Sequence, residues 1–165
     1  MASPKPSLID FKHLKAAEGF VELGMYLEAA DELGQIDPYC LIDPQVLRVR
    51  LELYAGLQNW GLMQMVARRL TQCDPGKVQW RISLAYATRR ADSLEAAKSI
   101  LIDALESHPE EGIVHYNLAC YDCQLGNLND AKNHLTQATK ADEKFKLMAL
   151  DDSDLEPLWR EIRVT

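Results

Sequence analysis

No apolar run in this sequence approaches the ~18 residues that a membrane-spanning helix requires, so no membrane helix is expected. Cysteine is scarce: four in 165 residues are too few for a disulfide scaffold and suit a reducing compartment. Aromatic residues make up only 7%, with 8 glycines and 7 prolines, which excludes collagen-like, low-complexity and disordered readings. The opening residues Met1-Ala2-Ser3-Pro4-Lys5-Pro6 lack the apolar core of a signal peptide, and a cytoplasmic location is the expectation. No stretch has the alternation or β-branched density of a strand. A glycine-rich phosphate loop, a nucleophile elbow and a paired-carboxylate site are all missing, so neither an enzyme nor a cofactor is expected.

What is present is ordinary for one folded domain: 47% hydrophobic and 26% charged residues. The net charge of −7 argues against nucleic acid or a membrane surface as partner. That charge is uneven. Residues 1–43 hold 3 basic against 8 acidic residues, a net of −5. Residues 44–98 hold 9 against 4, a net of +5, and residues 99–165 hold 6 against 13, a net of −7. An acidic chain therefore carries a basic middle.

The chain also repeats itself. Aligned in steps of 34, residues 10–43, 44–77, 78–111 and 112–143 place Ala29, Met63, Ala97 and Ala131 in one column. Ala17, Leu51, Ala85 and Ala119 form a second, and Leu33, Ala67, Leu101 and Leu135 a third. Ile36, Leu70, Ala104 and Ala138 form another, and Tyr26, Trp60, Leu94 and Leu128 another. Each unit carries two apolar stripes at helical spacing, separated by turn signals such as Gly24 and Gly126-Asn127. Stronger stops, Asp43-Pro44, Asp74-Pro75-Gly76 and His108-Pro109, separate the units. The pattern predicts eight helices, near 10–22, 25–36, 45–57, 60–72, 78–90, 93–107, 112–124 and 128–140. Pro38 falls early, so the second helix should be short. In the tail, Ser153 or Asp154 is expected to cap a final helix with Leu155, Leu158, Trp159 and Ile162 on one apolar face.

This pattern resembles the tetratricopeptide repeat, whose period is 34 residues. The fourth unit resembles it best, with Tyr116-Asn117-Leu118-Ala119, then Gly126-Asn127-Leu128-Asn129-Asp130-Ala131, Leu135 and Ala138. The segment Phe145-Lys146-Leu147-Met148-Ala149-Leu150 is similar to the closing segment of bacterial members of that family. The resemblance implies an all-α fold, a right-handed superhelical solenoid of helical hairpins. Its parts would be an N-terminal tail (residues 1–9), four repeats (10–143) and a C-terminal capping segment (144–165).

By the same resemblance, the first helix of each hairpin lines a concave groove that binds a peptide or helix of a partner protein. Groove places fall in the second unit on Arg48 and Glu52, and in the third on Gln79, Ile82, Tyr86, Arg89 and Arg90. In the fourth they fall on Tyr116, Cys120, Cys123 and Gln124, with Asn117 as a backbone-binding candidate. The basic middle thus reaches the groove beside Tyr86 and Tyr116, which favours a partner segment with acidic and apolar residues. Two other readings stand. Cys120 and Cys123 share a helix face and form the one redox- or metal-like pair, although no second pair completes a metal site and no metal is expected. Self-assembly, or a role like that of a secretion chaperone, is the other.

Overall fold

The computed structural model describes residues 5–162, and the described part is helical throughout with no strand. Eight helices match the expected ones to within two residues at most ends: α1 (Leu8–Glu22), α2 (Tyr26–Gly34), α3 (Pro44–Gly56), α4 (Trp60–Cys73), α5 (Val78–Ala91), α6 (Leu94–Ser107), α7 (Gly112–Gln124) and α8 (Leu128–Ala141). Two short helices follow, α9 (Lys144–Ala149) and α10 (Trp159–Ile162), with a 3-10 turn over Ser153–Leu158 between them. No described helix is long and apolar enough to cross a membrane.

Local chemistry sets the boundaries. Ser7 caps α1 and exchanges hydrogen bonds with Asp10, so the helix begins at Leu8, inside the segment expected to be an N-terminal tail. Asp43 caps α3 with Pro44 in the first turn, and Asn59 and Ser93 cap α4 and α6. The short α2 ends at Gly34, and a 3-10 turn, Pro38–Cys40, takes up the chain where proline forbids more helix. Three hairpins close with the same backbone bond. Met25 donates to Phe20, Asn59 to Tyr54 and Asn127 to Asp122, at 2.8, 2.9 and 2.8 Å. That turn needs left-handed backbone, supplied by Gly24 at φ 72° and Gly126 at φ 81°. In the second hairpin Gln58 takes it at φ 55°, a conformation costing a side-chain-bearing residue about 1–2 kcal/mol.

The chain divides into two compact units, Met1–Ala91 and Asp92–Thr165, and the division falls inside the third 34-residue repeat. In the first unit α1 pairs with α2, α3 with α4, and α4 with α5. Its core joins Leu14, Ala17, Ala29, Leu33, Ile36, Cys40, Val46, Val49 and Leu53. Alanines of the repeat columns lie where helices approach most closely, and Ala17, Ala29, Ala67 and Ala85 are fully buried. Gly56 serves the same end, because a Cβ there would overlap the Tyr26 ring. Gly56→Ala is therefore expected to cost about 1–3 kcal/mol in urea denaturation, with most of the loss recovered in Gly56→Ala/Tyr26→Ala.

In the second unit α6 packs on α7, α7 on α8, and the 3-10 turn on α7. Leu101, Val114, Leu118, Ala119 and Ala131 are fully buried there. The tail adds Phe145, Ala149, Leu155, Leu158 and Ile162, all buried, while Trp159 is half-buried and the expected single final helix is divided between the 3-10 turn and α10. Its cap differs: Asp152 accepts the backbone N–H of Asp154, in place of the expected Ser153 or Asp154. Pro157 lies in the 3-10 turn, so α10 begins only at Trp159, whose indole donates to the Ala149 carbonyl at 2.8 Å.

Candidate functional site

The residues expected to line a groove divide between the two units and meet different fates. In the first unit α3 contributes Arg48 and Glu52, and α5 contributes Gln79, Ile82, Tyr86, Arg89 and Arg90. Arg48 is already engaged. Its guanidinium donates to Glu18 on α1 at 2.6 Å and lies 3.9 Å from Glu52. Lys15 and Arg48 together hold the Glu18 carboxyl below the usual range. This is a partly exposed cluster that stitches α1 to α3.

Five residues before the end of α5 the surface changes character. Tyr86 meets Trp60 edge to face, with ring centroids 5.8 Å apart. The Arg90 guanidinium lies over both rings, 4.0 Å from the Tyr86 centroid and 5.0 Å from that of Trp60. Tyr86 and Arg90 are exposed, as is Gln79, while Ile82 and Arg89 are half-buried. The arrangement presents an aromatic surface with a cation fixed upon it. Trp80, also on α5, is buried, with the Lys77 ammonium 4.5 Å from its ring.

The second unit treats its share differently. Tyr116 is buried, stacks on Phe145 with centroids 5.3 Å apart, and donates its hydroxyl to Asp152 at 2.8 Å. Burial and that bond push its phenol upward. Cys120 donates to the same Asp152 oxygen at 3.6 Å, and Gln124 donates to Asp154. Asn117 spends its amide on the Ile113 carbonyl of its own helix, at 2.8 Å. The tail thus occupies the face of α7 on which Tyr116, Cys120 and Gln124 stand.

The surroundings of the two cysteines do not favour a redox pair. Burial, with Asp152 and Asp154 nearby, raises the Cys120 thiol, and burial with Asp122 raises that of Cys123 to about 11. Redox and nucleophilic cysteines require the opposite shift. Cys120, Asp152 and Asp154 bring three ligand atoms within 4.8 Å of one another, but their hydrogen bonds already explain the grouping.

One polar group lay unnoticed in the sequence. Asp122 stands in the eleventh place of its unit, where Phe20, Tyr54 and Thr88 stand in the first three, and a carboxylate in an otherwise uncharged column was the available signal. It is fully buried. Lys98 of α6 donates to its Oδ1 at 2.5 Å and Asn127 at 3.2 Å, while Oδ2 has no hydrogen-bond partner among the described residues. His134 of α8 stands 4.0 Å from Oδ2. Burial lowers the proton affinity of His134, as do His115 and Lys98, with Asp122 and Asp130 acting the other way. His115 and His134 face each other between α7 and α8, so inter-helix packing describes both.

No family model matches the chain, and no curated protein matches it either. Solved structures do. The MamA RS-1 ArsTM double mutant aligns over 82% of this chain and 76% of its own, with a TM-score of 0.72 at 15% identity. The crystal structure of TTC0263, a thermophilic TPR protein of Thermus thermophilus, aligns over 93% and 82%, with a TM-score of 0.66 at 19% identity. A structure of MamA MSR-1 aligns over 84% and 99%, with a TM-score of 0.51 at 19% identity. The chain has a tetratricopeptide-type, all-α helical-repeat fold.

Proposed function

We propose that the chain is a non-catalytic protein-interaction module. Its contact surface would be the α5 face of the first unit, and its ligand a partner segment bearing acidic and apolar side chains. The observation that carries this reading is Arg90 lying on the exposed Tyr86 ring, with Trp60 beneath. A guanidinium held by aromatic faces loses little further freedom on binding, and it can grip a carboxylate while the rings cover an apolar neighbour. Arg48 already serves Glu18, and Tyr116, Cys120 and Gln124 already serve the tail. Recognition is therefore placed on Arg90 with Tyr86, and Arg89 stands next to Arg90 in the last turn of α5.

The test uses fluorescence anisotropy with peptides alternating acidic and apolar residues, against length-matched basic controls. Binding should prefer the acidic set and weaken as salt rises. Arg89→Glu/Arg90→Glu should lose tenfold or more in affinity and flatten that salt dependence, with the thermal midpoint little changed. Equal binding by wild type and the reversed variant would refute the assignment.

A further inference from the structure

The second unit already carries, in its own tail, a segment with the acidic and apolar chemistry assigned above to a partner. Asp152-Ser153-Asp154-Leu155 packs on α7, where its two acids meet side-chain donors spaced four residues apart. Tyr116 and Cys120 donate to Asp152 Oδ2, at 2.8 and 3.6 Å, and Gln124 donates to Asp154 Oδ1. Asp152 Oδ1 accepts the Asp154 backbone N–H at 3.0 Å, which folds the segment into a turn and leaves Oδ2 to face the helix. Leu155 follows and is fully buried.

The donors of α7 stand at the fifth, ninth and thirteenth places of their unit. In the third unit those places hold Ile82, Tyr86 and Arg90, all on α5. A phenol and a guanidinium thus replace the thiol and the amide at the ninth and thirteenth places, and both are stronger donors to a carboxylate. The first two units break the pattern, with Glu18 and Glu22 in the first and Glu52 and Gly56 in the second. None of those four offers a side-chain donor. The two places lie one helical turn apart, about 6 Å along the axis, a span that two residues of chain cover. On α7 the tail covers them, whereas Tyr86 and Arg90 are exposed.

We infer that α5 takes a partner segment of the form Asp-X-Asp followed by an apolar residue, running parallel to the helix. The inference rests on the reading of α5 as the contact surface and adds the spacing and direction of what it binds. The first carboxylate accepts from the Tyr86 hydroxyl and the second from Arg90, as Asp152 accepts from Cys120 and Asp154 from Gln124. Stacking on Tyr86 engages the face of the Arg90 guanidinium, and its N–H groups, which lie in the plane, are available to the second acid. Aspartate is favoured over glutamate at the first acid, because the shorter side chain closes the turn onto the N–H two residues on.

The experiment is fluorescence anisotropy of the full chain, its own tail in place, with a labelled peptide copying residues 150–158. Binding is expected, and Asp152→Asn or Asp154→Asn in the peptide should each weaken it at least tenfold. One serine added between the two acids, at unchanged charge, should do the same. In the protein, Arg90→Gln should weaken binding at least tenfold and Tyr86→Phe about threefold, with the thermal midpoint unchanged. Gln124→Ala should leave it as it is. Equal affinity for the spaced and native peptides would overturn the Asp-X-Asp assignment while a general acidic preference of α5 stood. No affinity for any acidic peptide would overturn the contact surface as well. Loss in Gln124→Ala with none in Arg90→Gln would place the peptide on α7 by exchange with the tail, and the inference would fall. A wild-type dimer that becomes monomeric in Arg90→Gln would make the occupant a second copy's tail and overturn a separate partner.

Discussion

Lys98→Met is expected to destabilise the second unit by about 3 kcal/mol in urea denaturation at neutral pH. The reason lies in Asp122, which is fully buried and draws its closest donor, at 2.5 Å, from Lys98. Removing one partner of a buried ion pair leaves the other charge uncompensated, which typically costs about 3–5 kcal/mol. The Lys98 side chain is 20% exposed, so the lower end of that range applies. The reverse deletion should be milder. In Asp122→Leu the freed ammonium can reach water, and leucine fits a place where the first two repeats carry Phe20 and Tyr54. The double variant Lys98→Met/Asp122→Leu should recover most of the stability lost by Lys98→Met. Its coupling energy would be about 1–3 kcal/mol, as for other contacting residues. A Lys98→Met protein within about 0.5 kcal/mol of wild type would show that Lys98 does not carry the carboxylate.

That prediction turns on a residue that periodicity hides, whereas the hairpins themselves are legible. Apolar places recur every 34 residues, and small side chains at those columns leave a repeated mark. Ala29, Ala97 and Ala131 share one place, and all three are fully buried. The histidine pair is written in the same register. His115 and His134 occupy the fourth and twenty-third places of their unit, and in the first unit those places hold His13 and Glu32, 2.7 Å apart. The meeting of such places can be read only once the repeat is folded, since 19 residues separate the partners.

The tail obeys no such rule. Its contacts with Tyr116 and Gln124 span 36 and 30 residues and occur once, so no column records them. The groove pattern that the resemblance implies gives places on the first helix of each hairpin. It does not register that Asp152 and Asp154 already cover the places of the fourth. The basic middle gave a sharper guide, because Arg90 needs only the local spacing of Tyr86 four residues before it to form its stack.

Alkylation at pH 7.5 should separate the four cysteines by rate, and the separation tests what the tail does. Cys73 is exposed, whereas Cys40, Cys120 and Cys123 are buried. Cys73 should react first. The Cys123 thiol is pushed up to about 11, mainly by burial and then by Asp122, Asp154 and Asp152. Against an ordinary value of 9.0, its thiolate fraction at pH 7.5 falls by about 100-fold, before any steric protection. Because the shift is upward, reactivity should climb about tenfold per pH unit until pH approaches 11. Cys120, displaced further in the same direction, should be slower still. Leu158→Ala then removes a side chain that is 1% exposed, at a cost of about 2–5 kcal/mol. If protection comes from the tail, each loss of about 1.4 kcal/mol raises the open population tenfold, so Cys120 and Cys123 should alkylate at least tenfold faster in that variant. Cys40 belongs to the first unit and packs with Leu33 and Ile36, so its rate should stay as it was. Acceleration of all three would mean that the substitution loosens the whole chain. No acceleration would mean that α7 and α8 shield the thiols without the tail, and that Asp152 is held to Tyr116 and Cys120 independently of Leu158.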